Sequence, residues 1–260
     1  MSPATSCKIV FVVLLVCLAF RTSDAGSLRP DHSLFTQVLQ TYVKNGVVNY
    51  KGIKADSTFP KYISYLSSMN PREIDPRDTL AFWINVYNAF TIKVICDHYP
   101  VKSITDLNSG SLTISFLLKS TIWDDELVNI NGKKYTLNFV ENKIVRPAGD
   151  ARVHFAMVCA AKSCPPLRSE AYEGDKLSDQ FDDQGRIFMS LPDRNIFDIP
   201  KKRLQLSKIY DWFEDDFEKD SGSVIKFISR FVPADLAAQL KANEDDFDID
   251  HLEYNWDLNE

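Results

Sequence analysis

Arg152-Val153-His154-Phe155-Ala156-Met157-Val158-Cys159-Ala160-Ala161-Lys162-Ser163-Cys164-Pro165-Pro166-Leu167-Arg168 is the most informative stretch of the chain. Val153 to Ala160 is apolar apart from His154. A run of that length suits a strand buried on both faces better than a helix of ten or more residues. Pro165 and Pro166 have no N–H, so a ladder cannot continue through them. A strand ending in a stiff loop is a rigid platform for one side chain. The side chain expected there is Cys164, held near the loop surface between Lys162 and Arg168.

Working outward, Asp75-Pro76 opens the longest helix, with an acceptor at the cap and proline in the first turn. It runs to about Tyr99, where Pro100 ends it. The helix is apolar on most sides, which predicts a central helix wrapped by the rest. Asn131-Gly132 marks a hairpin over Glu126 to Thr136. Thr136 then caps a helix that carries Glu141 and Arg146 and ends before Pro147. Upstream, helical spacing predicts helices over residues 34–43 and 60–69, with a short strand at 47–50 between them. Downstream, helices are expected over 175–190, from the Ser207 cap through Phe217, over 223–231 and over 233–242. Short strands are expected at 196–199 and 203–206, and a strand-like end at 252–258. Helices and strands mix without βαβ alternation, so the expected class is α+β. It is read as a single domain over residues 26–260, with helices packed around a small sheet whose buried central strand is 152–160.

Residues 1–25 read as a secretory leader: Lys8, then apolar Ile9 to Phe20, then Ser23-Asp24-Ala25 for cleavage after Ala25. Its apolar part is shorter than the roughly 20 residues that span a bilayer, and no other segment is expected to span. The expected location is therefore extracellular or the lumen of the secretory pathway, with no transmembrane segment after cleavage. The whole chain has a net charge of −6 and no basic run. That makes it a poor binder of nucleic acid or anionic membrane. The acidic stretches Asp211 to Asp220 and Glu244 to Asp250 read as solvated surface without the spacing of an EF-hand loop. Five cysteines reduce to Cys96, Cys159 and Cys164 once the leader is removed. In an oxidising compartment an odd number leaves at least one thiol unpaired within a monomer.

Three blocks carry a family resemblance. They are Phe82-Trp83-Ile84-Asn85-Val86-Tyr87-Asn88-Ala89, then His154 to Cys159 with Lys162 to Pro166, then Tyr254-Asn255-Trp256-Asp257-Leu258-Asn259. In that order they resemble the family called Domain of Unknown Function 547. The resemblance implies a shared fold and a site around Cys164, without an activity. It also supports the position of Glu141, since a Glu commonly precedes the Arg-Pro-like helix end there.

Two functional readings follow. In the first, Cys164 is the nucleophile of a hydrolase or acyl transferase acting on amide or ester bonds. Lys162 and Arg168 would favour its thiolate, His154 would shuttle the proton and Glu141 would orient the histidine. In the second, Cys159 and Cys164 form a structural disulfide in a secreted binding module without catalysis. Asn85 and Asn88 lie three apart on one helix face, so they either tie down backbone or line the pocket. The expected partner is a small molecule or a peptide. No cofactor and no metal is expected, because Glu141, His154 and Cys164 lack compact ligand spacing and Cys159 and Cys164 lack the CxxC redox spacing.

Overall fold

The structure is a computed structural model that describes residues 27–108 and 121–260. The leader expected over residues 1–25 lies outside the described residues. The chain begins with helix α1 (Ser33–Tyr42), a two-stranded hairpin of β1 (Val43–Lys44) and β2 (Val47–Val48), and helices α2 (Tyr50–Ala55) and α3 (Thr58–Ser68). Helix α4 (Pro76–His98) follows. Asp75 caps α4 by accepting from the Arg77 N–H, and proline fills its first turn as expected. Nearly every side chain from Ala81 to Cys96 is buried. By length and composition alone this helix could cross a membrane, which corrects the expectation that no segment beyond the leader is long and apolar enough; 83% of its most apolar window is buried. Here it is the buried axis of the main core, with α1, α2 and α3 around it.

Asn131 and Gly132 both have positive φ, 51° and 72°, as the tight turn between β3 (Val128–Ile130) and β4 (Lys133–Tyr135) requires. Thr136 accepts from the Phe139 N–H and starts α5 (Leu137–Phe139). That helix continues as a π-helical turn over Val140–Val145, which carries Glu141. Such wide turns occur often at functional sites.

The strand expected at 152–160 does not form. Val153–Ala156 is a one-turn helix, α6, followed by extended backbone and then Ala160 in the left-handed region at φ 65°. Asp150 starts the turn by accepting from the Arg152 N–H. The segment is buried between two hydrophobic clusters: Val153, Ala156, Met157 and Val158 face the α4 core, and Phe155 faces a second, aromatic one. An apolar run buried all round carries no periodicity, so length alone misjudges a one-turn helix joined to extended chain.

Helix α7 (Leu177–Met189) leads into the strands β5 (Ile196–Asp198) and β6 (Arg203–Leu206). The expected Ser207-capped helix breaks at Phe213 into α8 (Ile209–Trp212) and α9 (Glu214–Ser221). Helices α10 (Val224–Ile228) and α11 (Ala234–Ala242) follow. The last strand, β7 (Asp248–His251), precedes the expected 252–258 and pairs parallel with β6, Leu204 opposite Ile249. Residues 252–258 instead form a strap. Asp257 bridges to Ser103 and Leu258 to Ala161. The Lys162 and Ser163 N–H groups donate to the carbonyls of Asp257 and Asn255. Small sheets among many helices make an α+β domain.

Candidate functional site

One cavity of about 250 Å³ gathers side chains from distant parts of the chain. Helix α4 contributes Tyr87, α5 contributes Asn138, and the π-helical turn after it contributes Glu141 and Asn142. His154 enters from α6, Met157 and Cys159 from the extended chain behind it, and Cys164 and Pro165 from the loop. Ile209, Trp212 and Phe213 come from α8 and its end, and Tyr254 and Trp256 from the C-terminal strap. Trp123 completes the lining. The three residues expected to act together, Glu141, His154 and Cys164, therefore do line a single cavity.

Their chemistry differs from the expectation. Cys164 is bonded to Cys159, with 6.4 Å between the Cα atoms. It is buried rather than displayed, at 4% exposure. The Cys159 N–H donates to Cys164 Sγ over 3.1 Å, and the Tyr254 hydroxyl lies 3.2 Å from both sulfurs. A disulfide sulfur has no proton, so the hydroxyl is the donor there. Lys162 pairs with Asp257, and Arg168 pairs with Glu170 and Asp183. Their charges are compensated by carboxylates, which corrects the expectation that they bias the Cys164 sulfur. Cys96 is the free thiol among the described cysteines, and burial pushes it up to about 12.

His154 is oriented by Asp216 and not by Glu141. Its Nε2 lies 2.8 Å from Asp216 Oδ2, which also accepts from Arg146 Nε at 2.7 Å. Phe213 stacks on the imidazole at a centroid distance of 4.0 Å, and Arg146 lies 4.9 Å from the centre of that same ring. Burial pushes the His154 pKa down against the pull of Asp216, so the ring is neutral and donates through Nε2. The His154 hydrogen bond and the Arg146 guanidinium hold the Asp216 carboxyl well below the usual carboxylate range. Arg146 thus pairs with Asp216 rather than with Glu141. Burial raises the Glu141 carboxyl, opposed by a hydrogen bond with Tyr87 and by the charge of Arg146.

Asn85 and Asn88 tie down backbone. Asn85 donates to the Tyr172 carbonyl and accepts from its N–H. Asn88 donates to the Ala156 carbonyl at 2.9 Å and accepts from the Val158 N–H at 2.9 Å. Neither lines the cavity. Asn88 instead fixes the extended chain that carries Met157 into it.

The sequence reading missed Asp216, taken as one of a solvated acidic run, and the aromatic lining Trp123, Trp212, Phe213, Tyr254 and Trp256. The density of aromatics around 212–217 and in the last block was the available signal. Among the described residues no group of three or more His, Cys, Asp or Glu side chains is arranged to hold a metal ion.

A family model described as "Protein of unknown function, DUF547" matches residues 71–189. The match contains the block at Phe82 to Ala89 and the block from His154 to Pro166, and so bears out the family resemblance. Tyr254 to Asn259 lies beyond it. No curated protein and no solved structure matches the chain.

Proposed function

We propose that this chain is a secreted, non-catalytic binding module whose ligand is a small molecule held in the aromatic cavity. The observation that carries this reading is the Cys159–Cys164 bond in the cavity wall. It occupies the sulfur that a thiol enzyme would need as its nucleophile. The remaining lining has the make-up of a ligand site: a mostly apolar, aromatic wall with a few converging polar groups. The leader pattern and the disulfide agree with each other, because disulfides persist in oxidising compartments.

Three of the four tryptophans of the chain, Trp123, Trp212 and Trp256, line the cavity. A titration of the non-reduced protein with a panel of small molecules, followed by tryptophan fluorescence, therefore reads occupancy. A saturable change from at least one class of small molecule is expected. A panel spanning neutral, cationic and anionic molecules that leaves the emission unchanged refutes the reading.

A second reading rests on the shared cavity of Cys164, His154 and Glu141. Reduction would return a thiol to Cys164 with the Cys159 N–H directed at it. The activity would then be hydrolysis or acyl transfer on an amide or ester. It would appear only with reductant and vanish in Cys164→Ser.

A further inference from the structure

The chemistry of the cavity points beyond a generic small molecule. We propose that its ligand is a compact organic cation, an alkylated or quaternary ammonium head, seated against the aromatic wall with Glu141 as its counter-charge. This rests on the binding-module reading above and names the ligand class for it.

Three observations converge. The first is the wall. Trp212 lies 4.7 Å from Tyr254 and 5.7 Å from Trp256, Tyr254 lies 4.6 Å from Trp256, and Trp123 lies 6.0 Å from Trp256, all between ring centroids. These contacts make one continuous aromatic surface. Its ring faces attract a cation electrostatically, and indole faces do so best.

The second is charge. Of the side chains lining the cavity, Glu141 is the one carboxylate, and none is Lys or Arg among the described residues. The Arg146 charge beside the cavity is already compensated by Asp216. An anionic ligand would find no cation in the wall. A neutral ligand would leave Glu141 either protonated or as a half-buried charge with no counter-ion in the cavity, which is costly. A cation supplies that counter-ion. The head group is alkylated because a bare ammonium is strongly hydrated, and an aromatic wall offers few acceptors to replace that water.

The third is precedent within the same site. Arg146 already lies over the Phe213 ring, so a cation on an aromatic face is compatible with these surroundings. The cavity volume of about 250 Å³ falls just below the roughly 300–1,000 Å³ of pockets for drug-sized ligands. It therefore suits a compact head group.

The test is calorimetric titration of the non-reduced protein with choline and, separately, with its uncharged isostere 3,3-dimethylbutan-1-ol. Choline is expected to bind at least about tenfold more tightly than the isostere, a preference worth about 1.4 kcal/mol. Glu141→Gln should reduce that preference severalfold, leaving the part that the aromatic faces supply, with the loss falling mainly on choline. Trp212→Ala removes a ring that is 43% exposed, so it tests the wall with little risk to folding. It should weaken choline by about threefold or more. Equal binding of choline and the alcohol overturns the cation assignment and leaves the binding module standing. Binding of neither overturns the assignment; if the small-molecule panel is also silent, both readings fall. A full choline preference retained in a folded Glu141→Gln variant overturns the role given to the carboxylate.

Discussion

Replacing Asn88 by alanine should be among the most damaging single changes in this chain. The side chain is 2% exposed and holds two backbone groups of the segment that leads into the cavity. Its amide donates to the Ala156 carbonyl and its carbonyl accepts from the Val158 N–H, both at 2.9 Å. Alanine leaves both groups buried and unsatisfied. Each such group costs about 1–3 kcal/mol, so the expected loss is about 2–6 kcal/mol. Total stabilities of natural domains are about 5–15 kcal/mol, so the variant sits near the limit of folding. Urea unfolding followed by circular dichroism measures the loss. With a slope near 3 kcal/mol/M the midpoint should fall by about 0.7–2 M. Asn88→Asp should also destabilise, because a carboxylate cannot donate to the Ala156 carbonyl. A midpoint shift below about 0.2 M for Asn88→Ala would refute the reasoning. It would mean that water or a rearranged chain satisfies Ala156 and Val158 without the clamp.

Two further outcomes test the core and the buried histidines. Trp83 is 5% exposed and packs edge-on against Phe82 and Tyr135. Trp83→Ala should cost about 3–5 kcal/mol, lowering the thermal midpoint by at least about 6 °C; an unchanged midpoint would show that α4 is not the axis of the core. His154 and His32 are both pushed down by burial, His32 to about 4. Their folded values lie below the unfolded value of about 6.5, so each contributes stability that is present above that pH and lost as pH falls through it. Asp216, held low by His154 and Arg146, has the same sign further into acid. Thermal midpoints should therefore fall as pH drops from about 7 to 4, and His154→Gln should reduce that slope. A slope unchanged by His154→Gln would place the acid sensitivity elsewhere.

Features written in local chemistry were legible before the structure. The Asp75-Pro76 start of α4, the Asn131-Gly132 turn and the Thr136 cap each follow from one or two side chains acting on their own backbone. The grouping of Glu141, His154 and Cys164 was also legible. The Cys159–Cys164 bond was one of two open alternatives, since five residues of separation allow a loop to close or to stay open. The failures share one cause, which is dependence on distant partners. Nothing near His154 in sequence announces Asp216, 62 residues away, and an Asp within an acidic run looks like solvated surface. Tyr254 and Trp256 reach the cavity only because the strap is pinned between Ser103 and Ala161. The 152–160 run misled because its uniform burial between two clusters hides the period that separates helix from strand.

The state of the Cys164 sulfur separates a binding module from a thiol enzyme. Peptide-mapped alkylation of the native protein, with and without reductant, measures it directly. Without reductant, Cys159 and Cys164 should be recovered as a linked peptide, unlabelled by iodoacetamide. Cys96, buried with its thiol pushed up to about 12, should label only slowly. With reductant, Cys159 and Cys164 should both take the label. Rapid labelling of Cys164 in the native protein without reductant would contradict the binding-module account and return the site to thiol chemistry.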